Sequence, residues 1–203
     1  MQHTEEGRQP RILVAATGSV AAIKIPQLCQ LLQQLGEVKL ASTKSAAYFF
    51  TQEQLPESLG PVAGDEAEWH AWSRVGDPVM HIELRRWADM LVIAPLSANS
   101  LAKLAHGLCD NLVTCVVRAW DFQRPLLVAP AMNTFMWESP FTVQHLTSIR
   151  QLGVTVIDPV SKKLACGDVG AGAMAAPESI AAACETALCG LGFQRPAADA
   201  AGT

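Results

Sequence analysis

The sequence predicts an α/β fold, a parallel sheet with helices on both faces in a single domain. Three observations carry this. Short apolar runs of strand length recur along the chain. They are continuous instead of alternating, which marks strands buried on both faces. Between them lie segments with helical spacing, and strand–helix alternation closes into a parallel sheet through right-handed crossovers. The 203 residues contain no composition break and no internal repeat, so one domain accounts for them.

The first run is Ile12 to Ala16. Ser19 to Leu35 follows as a helix, with Leu28, Leu31, Leu32 and Leu35 on one face. Pro26 lies inside that pattern and predicts a kink or a late helix start. The remaining strands are Val38 to Ala41, Met90 to Ala94, Leu126 to Ala129 and Val154 to Ile157. The remaining helices are Ala98 to His106, Asn111 to Trp120, Thr142 to Leu152 and Glu178 to Leu191. The domain therefore spans 11–191. Residues 1–10, MQHTEEGRQP, are polar, carry two acids, and match neither a signal peptide nor a transit peptide. They are read as a disordered lead, and 192–203, ending RPAADAAGT, as a disordered tail.

Apolar residues make up 50% of the chain and charged residues 17%, against about 25% in typical domains. That balance excludes disorder over most of the length. It also suggests apolar surface buried between subunits. Lys plus Arg is 15 and Asp plus Glu is 19, for a net charge of −4 with no basic run. This argues against nucleic acid and anionic membrane as partners. No apolar run approaches the ~20 residues of a membrane span, and a cytoplasmic protein is expected. The six cysteines form no CxxC pair and no zinc pattern, so no metal is expected. Five of them read as reduced thiols within apolar stretches; Cys166 is the exception.

In such a fold ligands bind beyond the carboxyl ends of the strands. The first loop, Thr17-Gly18-Ser19-Val20-Ala21-Ala22, runs straight into a helix. Its free N–H groups can hold an anion, and lacking GxGxxG it suits one phosphate better than a pyrophosphate. The alternative is a tight turn with a capping Ser. Ser42-Thr43-Lys44-Ser45 and Ala94-Pro95-Leu96-Ser97-Ala98-Asn99-Ser100 also place hydroxyls before helices, where ordinary N-capping is the alternative. Together the three loops suit the phosphate and ribityl hydroxyls of a flavin mononucleotide.

His81 stands apart from His3, His70, His106 and His145 because Glu83, Arg85 and Arg86 are near it in sequence and can tune its charge. Asn133, in Pro130-Ala131-Met132-Asn133-Thr134-Phe135-Met136-Trp137, is a polar group in an apolar wall, as small-molecule pockets have, or else a helix cap. Lys162 to Met174 carries three glycines after Cys166. It reads as a mobile flap with a thiol whose proton loss the lysines favour, or as a Gly-rich linker.

TGSVAA, HIELRRWAD, APLSANS, GLCDNL, PAMNTFMW and ACGDVGAGAM occur in this order. Over roughly Arg11 to Ile180 the chain closely resembles the phosphopantothenoylcysteine decarboxylases of eukaryotic type, which include plant halotolerance flavoproteins. These belong to the homo-oligomeric flavin-containing Cys decarboxylases. The resemblance implies a Rossmann- or flavodoxin-like subunit, bound FMN, and a homotrimer with the active site at the subunit boundary. The implied reaction converts 4′-phosphopantothenoyl-L-cysteine to 4′-phosphopantetheine and CO2 in coenzyme A biosynthesis. Loss of CO2 from a cysteine carboxylate has no electron sink. In the family FMN provides one by oxidising the cysteinyl side chain to a thioaldehyde, and the enethiolate left after CO2 departs is then protonated and reduced.

Carried over by position, His81 matches the acid/base and orienting His, and Cys166 the residue needed to reduce the enethiol. Asn133 matches the residue that holds the substrate carboxylate. Arg86 matches a basic residue important for activity or assembly, taken here as substrate-binding. Lys163, Ala165 and Met174 match substrate contacts. Gly18, Ser19, Val20 and Ala21, with Thr43, Lys44 and Ser45, match FMN contacts; so do Ser97, Ala98, Asn99 and Ser100, with Ala131. Val169 replaces a common aromatic residue and Ser100 a common Thr. Peptidyl-cysteine decarboxylases share the His and Asn motif, and flavin prenyltransferases share the fold; the flap with Lys162, Lys163 and Cys166 argues against both. A phosphatase-inhibiting regulatory subunit would carry long extra termini, and a flavodoxin-like electron carrier would not need Asn133 or Cys166.

Overall fold

The computed structural model describes residues 8–163 and 169–194, without the side chains of Lys162, Lys163 and Val169. Strand β1 (Arg11–Ala16) leads through a 3-10 turn, Val20–Lys24, into α1 (Ile25–Gln33). Pro26 sits in the first turn of α1, where its missing N–H costs no hydrogen bond, so the α-helix starts late instead of kinking. Next come β2 (Glu37–Ser42), α2 (Asp65–Ala71), α3 (Met80–Trp87) and β3 (Met90–Leu96). After them follow α4 (Ala98–His106), α5 (Leu112–Arg118), β4 (Leu126–Pro130), α6 (Thr134–Trp137) and α7 (Pro140–Gln151). The chain closes with β5 (Thr155–Val156), β6 (Val160–Lys163), β7 (Val169–Ala173) and α8 (Pro177–Gly190).

Strands β1 to β5 form one parallel sheet in the order β2-β1-β3-β4-β5. This is the flavodoxin-like winding, which reverses direction beside β1 and opens a crevice between β1 and β3. Side chains of β1 alternate between two cores. Ile12 and Val14 face α1 and α8 with Leu28, Leu32, Cys184 and Leu188. Leu13 and Ala15 face the other layer with Leu101, Leu112, Val116 and Ile149. Both sets are almost fully buried, which explains the unbroken apolar runs.

The sequence reading missed α2, α3, α6 and the β6–β7 hairpin. Helix α2 buries no residue, and α3 buries only Leu84, so neither shows an apolar stripe. Of the stretch read as a flap or linker, Lys162 and Lys163 end β6 and Val169–Ala173 form β7, antiparallel to it, while 164–168 lie outside the described residues. The glycines of β7 serve close packing. A Cβ on Gly170 would meet Thr134 Oγ1 at 2.4 Å, and one on Gly172, whose φ is +119°, would meet the Met132 carbonyl at 2.5 Å. Met132 N–H donates to the Gly172 carbonyl at 2.9 Å, so β7 lies along the Asn133 loop.

Candidate functional site

The carboxyl ends of β1, β2, β3 and β4 surround a cavity of about 500 Å³. Thr17, fully buried, ties two of its walls together. Its hydroxyl donates to the Pro95 carbonyl and accepts from Ser97 N–H, both at 2.8 Å. Gly18 brings the β1 loop against the β2 loop, where a Cβ would stand 2.5 Å from Ser45 Cβ. Only glycine permits this approach. Thr43 N–H donates to the Ala16 carbonyl and ties the β2 loop to the end of β1.

Of the residues assigned to FMN, Gly18 and Ser19, Thr43 to Ser45, Ser97 to Ser100, and Ala131 line this cavity. Val20 and Ala21 do not; they form the turn behind Ser19, whose hydroxyl accepts from Ala21 N–H at 3.4 Å. Capping and lining coincide here. Ser97 caps α4 by accepting from Ser100 N–H, and its Oγ lies 3.2 Å from Ser100 Oγ. The amino end of α4 therefore points free N–H groups and two hydroxyls toward the crevice, which favours an anion.

Sequence reasoning missed other lining residues. Asp65, Lys103, Asp110 and Asn111 form one side, and Met132 and Met136 another. Lys103 Nζ pairs with Asp110 at 2.6 Å and holds its carboxyl below the usual carboxylate range. Asn111 caps α5 by accepting from Thr114 N–H at 3.0 Å. The Asn111-x-x-Thr114 capping box inside GLCDNL was a legible signal for this corner. Ammonium and hydroxyl donors on one side, with methionine side chains on the other, suit a ligand with a phosphate, a hydroxylated chain and a flat apolar head.

His81, Arg86 and Asn133 lie outside the lining of this cavity. His81 opens α3, and its Nδ1 lies 2.5 Å from Glu68 Oε1, which also accepts from its backbone N–H at 3.3 Å. The neighbours expected to tune it are engaged elsewhere. Glu83 pairs with Arg86 at 2.9 Å, and Arg85 donates to the Ala119 carbonyl. Chain proximity misled because i+2, i+4 and i+5 on a helix do not all share a face with i. Arg86 is 65% exposed. Asn133 Oδ1 accepts from Met136 N–H at 2.9 Å and caps α6. Met174 is buried in the α1/α8 core, 2% exposed, and does not line the cavity. Lys163 ends β6, while Ala165 and Cys166 fall outside the described residues.

Burial pushes the thiols of Cys29 and Cys184 up to about 12, as expected of core residues. Burial, with Cys109 nearby, pushes Cys115 up to about 11. Among the described residues no helix is long and apolar enough to cross a membrane.

The Flavoprotein family model matches residues 1–188. A probable phosphopantothenoylcysteine decarboxylase of Arabidopsis thaliana is 58% identical over 85% of this chain and 86% of its own. A solved structure of a cysteine-to-serine mutant of PPC decarboxylase complexed with pantothenoylaminoethenethiol superposes with a TM-score of 0.86. It is 55% identical, and the match covers 88% of this chain and 98% of that one. The FMN binding protein AtHal3 superposes with a TM-score of 0.83 at 56% identity, covering 88% and 96%. This chain belongs to the flavoprotein family, within its phosphopantothenoylcysteine decarboxylases.

Proposed function

We infer that this chain is an FMN-dependent decarboxylase that converts 4′-phosphopantothenoyl-L-cysteine to 4′-phosphopantetheine and CO2, a step of coenzyme A biosynthesis. The observation that carries this is the cavity at the β1/β3 crossing, with its hydroxyl and ammonium wall and the Asn133 loop at its edge. FMN fits that wall: the Gly18-Ser19 turn and the amino end of α4 suit its phosphate, and Met132 and Met136 its ring. When bound, FMN supplies the reversible two-electron acceptor that gives the departing CO2 an electron sink.

The chain's own residues position the substrate. The Asn133 NH2 donates to the substrate carboxylate without a full ion pair, which would stabilise the ground state and oppose CO2 loss. His81 places the cysteinyl group and moves its proton. Cys166 protonates the enethiolate, and Arg86, Lys163 and Ala165 contact the rest of the substrate. Because His81, Arg86 and Asn133 lie off the cavity that their own chain lines, we place the working site at a subunit boundary in a homotrimer. Phe135 and Phe141, 77% and 69% exposed, support a covered surface beside Asn133. The free thiols among the described residues suit a reducing, cytoplasmic setting.

The test is CO2 and phosphopantetheine release by the flavin-loaded protein, with His81→Asn and Cys166→Ser run alongside. Turnover is expected from wild type, none from His81→Asn, and an oxidised enethiol product from Cys166→Ser. A flavin-loaded wild type that releases no CO2 would overturn the decarboxylase reading in favour of a regulatory flavin-binding role.

A further inference from the structure

We propose that Glu68 is the positioning residue of His81: its carboxylate fixes the imidazole proton on Nδ1 and so presents the Nε2 lone pair to the substrate. This rests on the reading of His81 as a reacting residue. A carboxylate only accepts, so an Nδ1 at 2.5 Å from Glu68 Oε1 carries the proton, and in the neutral ring Nε2 is then the acceptor. The second bond, from His81 backbone N–H to the same oxygen, fixes the imidazole's root as well as its edge.

The surroundings separate this pair from an ordinary surface contact. The Glu68 side chain is 13% exposed and that of His81 27%. Helix α2, which carries Glu68, buries no residue, so core packing does not explain its presence. Carboxylates and backbone hold it instead. One turn before Glu68, Asp65 accepts from Leu112 N–H at 2.6 Å at the start of α5 and lines the cavity. Just before α2, Ala63 bonds Leu40 and Ser42 at the end of β2. Helix α2 is thus a strut that runs from the cavity wall and the β2 edge to His81. Glu68, one turn along α2 from the lining residue Asp65, thereby links His81 to the cavity wall, although His81 does not line it.

Glu68 also caps the first turn of α3, and the test separates that structural role from tautomer control. Flavin-loaded wild type, Glu68→Gln, Glu68→Ala, His81→Asn and Glu68→Ala/His81→Asn are compared by steady-state kinetics. Long-range 1H–15N spectra of [15N]His-labelled protein at alkaline pH report which ring nitrogen of His81 is protonated. Flavin content and visible circular dichroism report folding. Gln keeps an acceptor for the α3 cap but also offers a donor, so it relaxes the tautomer while sparing the helix.

The expected result is an Nδ1–H tautomer in wild type and a shift toward Nε2–H in both Glu68 variants. Their kcat should fall roughly 10–100-fold, less than the ~10²–10⁴ of a whole acid–base group, with KM nearly unchanged. The double variant should be no worse than His81→Asn alone. An Nε2–H tautomer in wild type, an unchanged tautomer in Glu68→Ala, or wild-type kcat in a folded Glu68→Ala would overturn the proposal. Normal turnover by His81→Asn would instead sink the assignment of His81, and the spectra would still decide what Glu68 does.

Discussion

Thr17 is a small residue on which two walls of the cavity depend. Its hydroxyl is spent twice, on the Pro95 carbonyl and on Ser97 N–H, in a fully buried position. Thr17→Val keeps the shape and leaves the Ser97 N–H without its acceptor, while the Pro95 carbonyl keeps the Thr17 backbone N–H, and this should cost about 1–3 kcal/mol. Urea unfolding of the flavin-free protein measures this, and flavin fluorescence should show weaker FMN binding because Ser97 loses its anchor. An unchanged urea midpoint would mean the loops are held by other bonds. Asn133 also spends its oxygen on a backbone N–H, that of Met136 at the start of α6. Sequence pattern offered cap and pocket residue as alternatives for Asn133 and for Ser97; Ser97 does both, whereas Asn133 caps α6 and lies outside the cavity lining.

At the scale of elements, the β6–β7 hairpin and the Asn133 loop act as a unit. Gly172 combines a positive φ with a backbone contact that leaves no room for a Cβ. Gly172→Ala should therefore destabilise by more than ~1 kcal/mol and push the Met132–Asn133 backbone away. Differential scanning calorimetry should show a lower Tm. Kinetics should show a raised KM for the phosphopantothenoylcysteine substrate, as the proposed role of Asn133 at its carboxylate requires. A lower Tm with unchanged KM would separate the hairpin from the site. The apolar elements were legible from sequence because burial on both faces writes itself as an unbroken run, as in Met90 to Leu96. Helix α2, DEAEWHA, was not legible because nothing on it faces a core. Its Asp65 and Glu68 work through bonds to residues 47 and 13 positions away.

Across the whole molecule, the proposed placement of the working site at a subunit boundary makes a prediction about mass. The cofactor cavity belongs to one chain, while His81, Arg86 and Asn133 stand beside it with exposed aromatic residues nearby. Light scattering should give a mass of three chains. Phe135→Glu should lower that mass and abolish turnover together, because a charge in a buried apolar contact is costly. A monomeric Phe135→Glu that turns over normally would place the complete site within a single chain.

The sequence by itself determined the five-strand parallel sheet, the helices that pack on it and the loops that line the cavity. These follow from local rules: hydrophobic period, the residue type that follows a strand, and Pro at a helix start. It also carried motifs specific enough to mark the family. The partner of His81 was decided by tertiary structure alone. Neighbours in sequence pointed to Glu83, Arg85 and Arg86, but these are engaged by one another or by the Ala119 carbonyl, and Glu68 arrives from a separate helix. The glycines of β7 likewise owe their meaning to the Thr134 side chain beside Gly170 and the Met132–Asn133 backbone beside Gly172. A hydrogen bond or a close approach between distant segments depends on where the sheet brings them, and no local pattern encodes that.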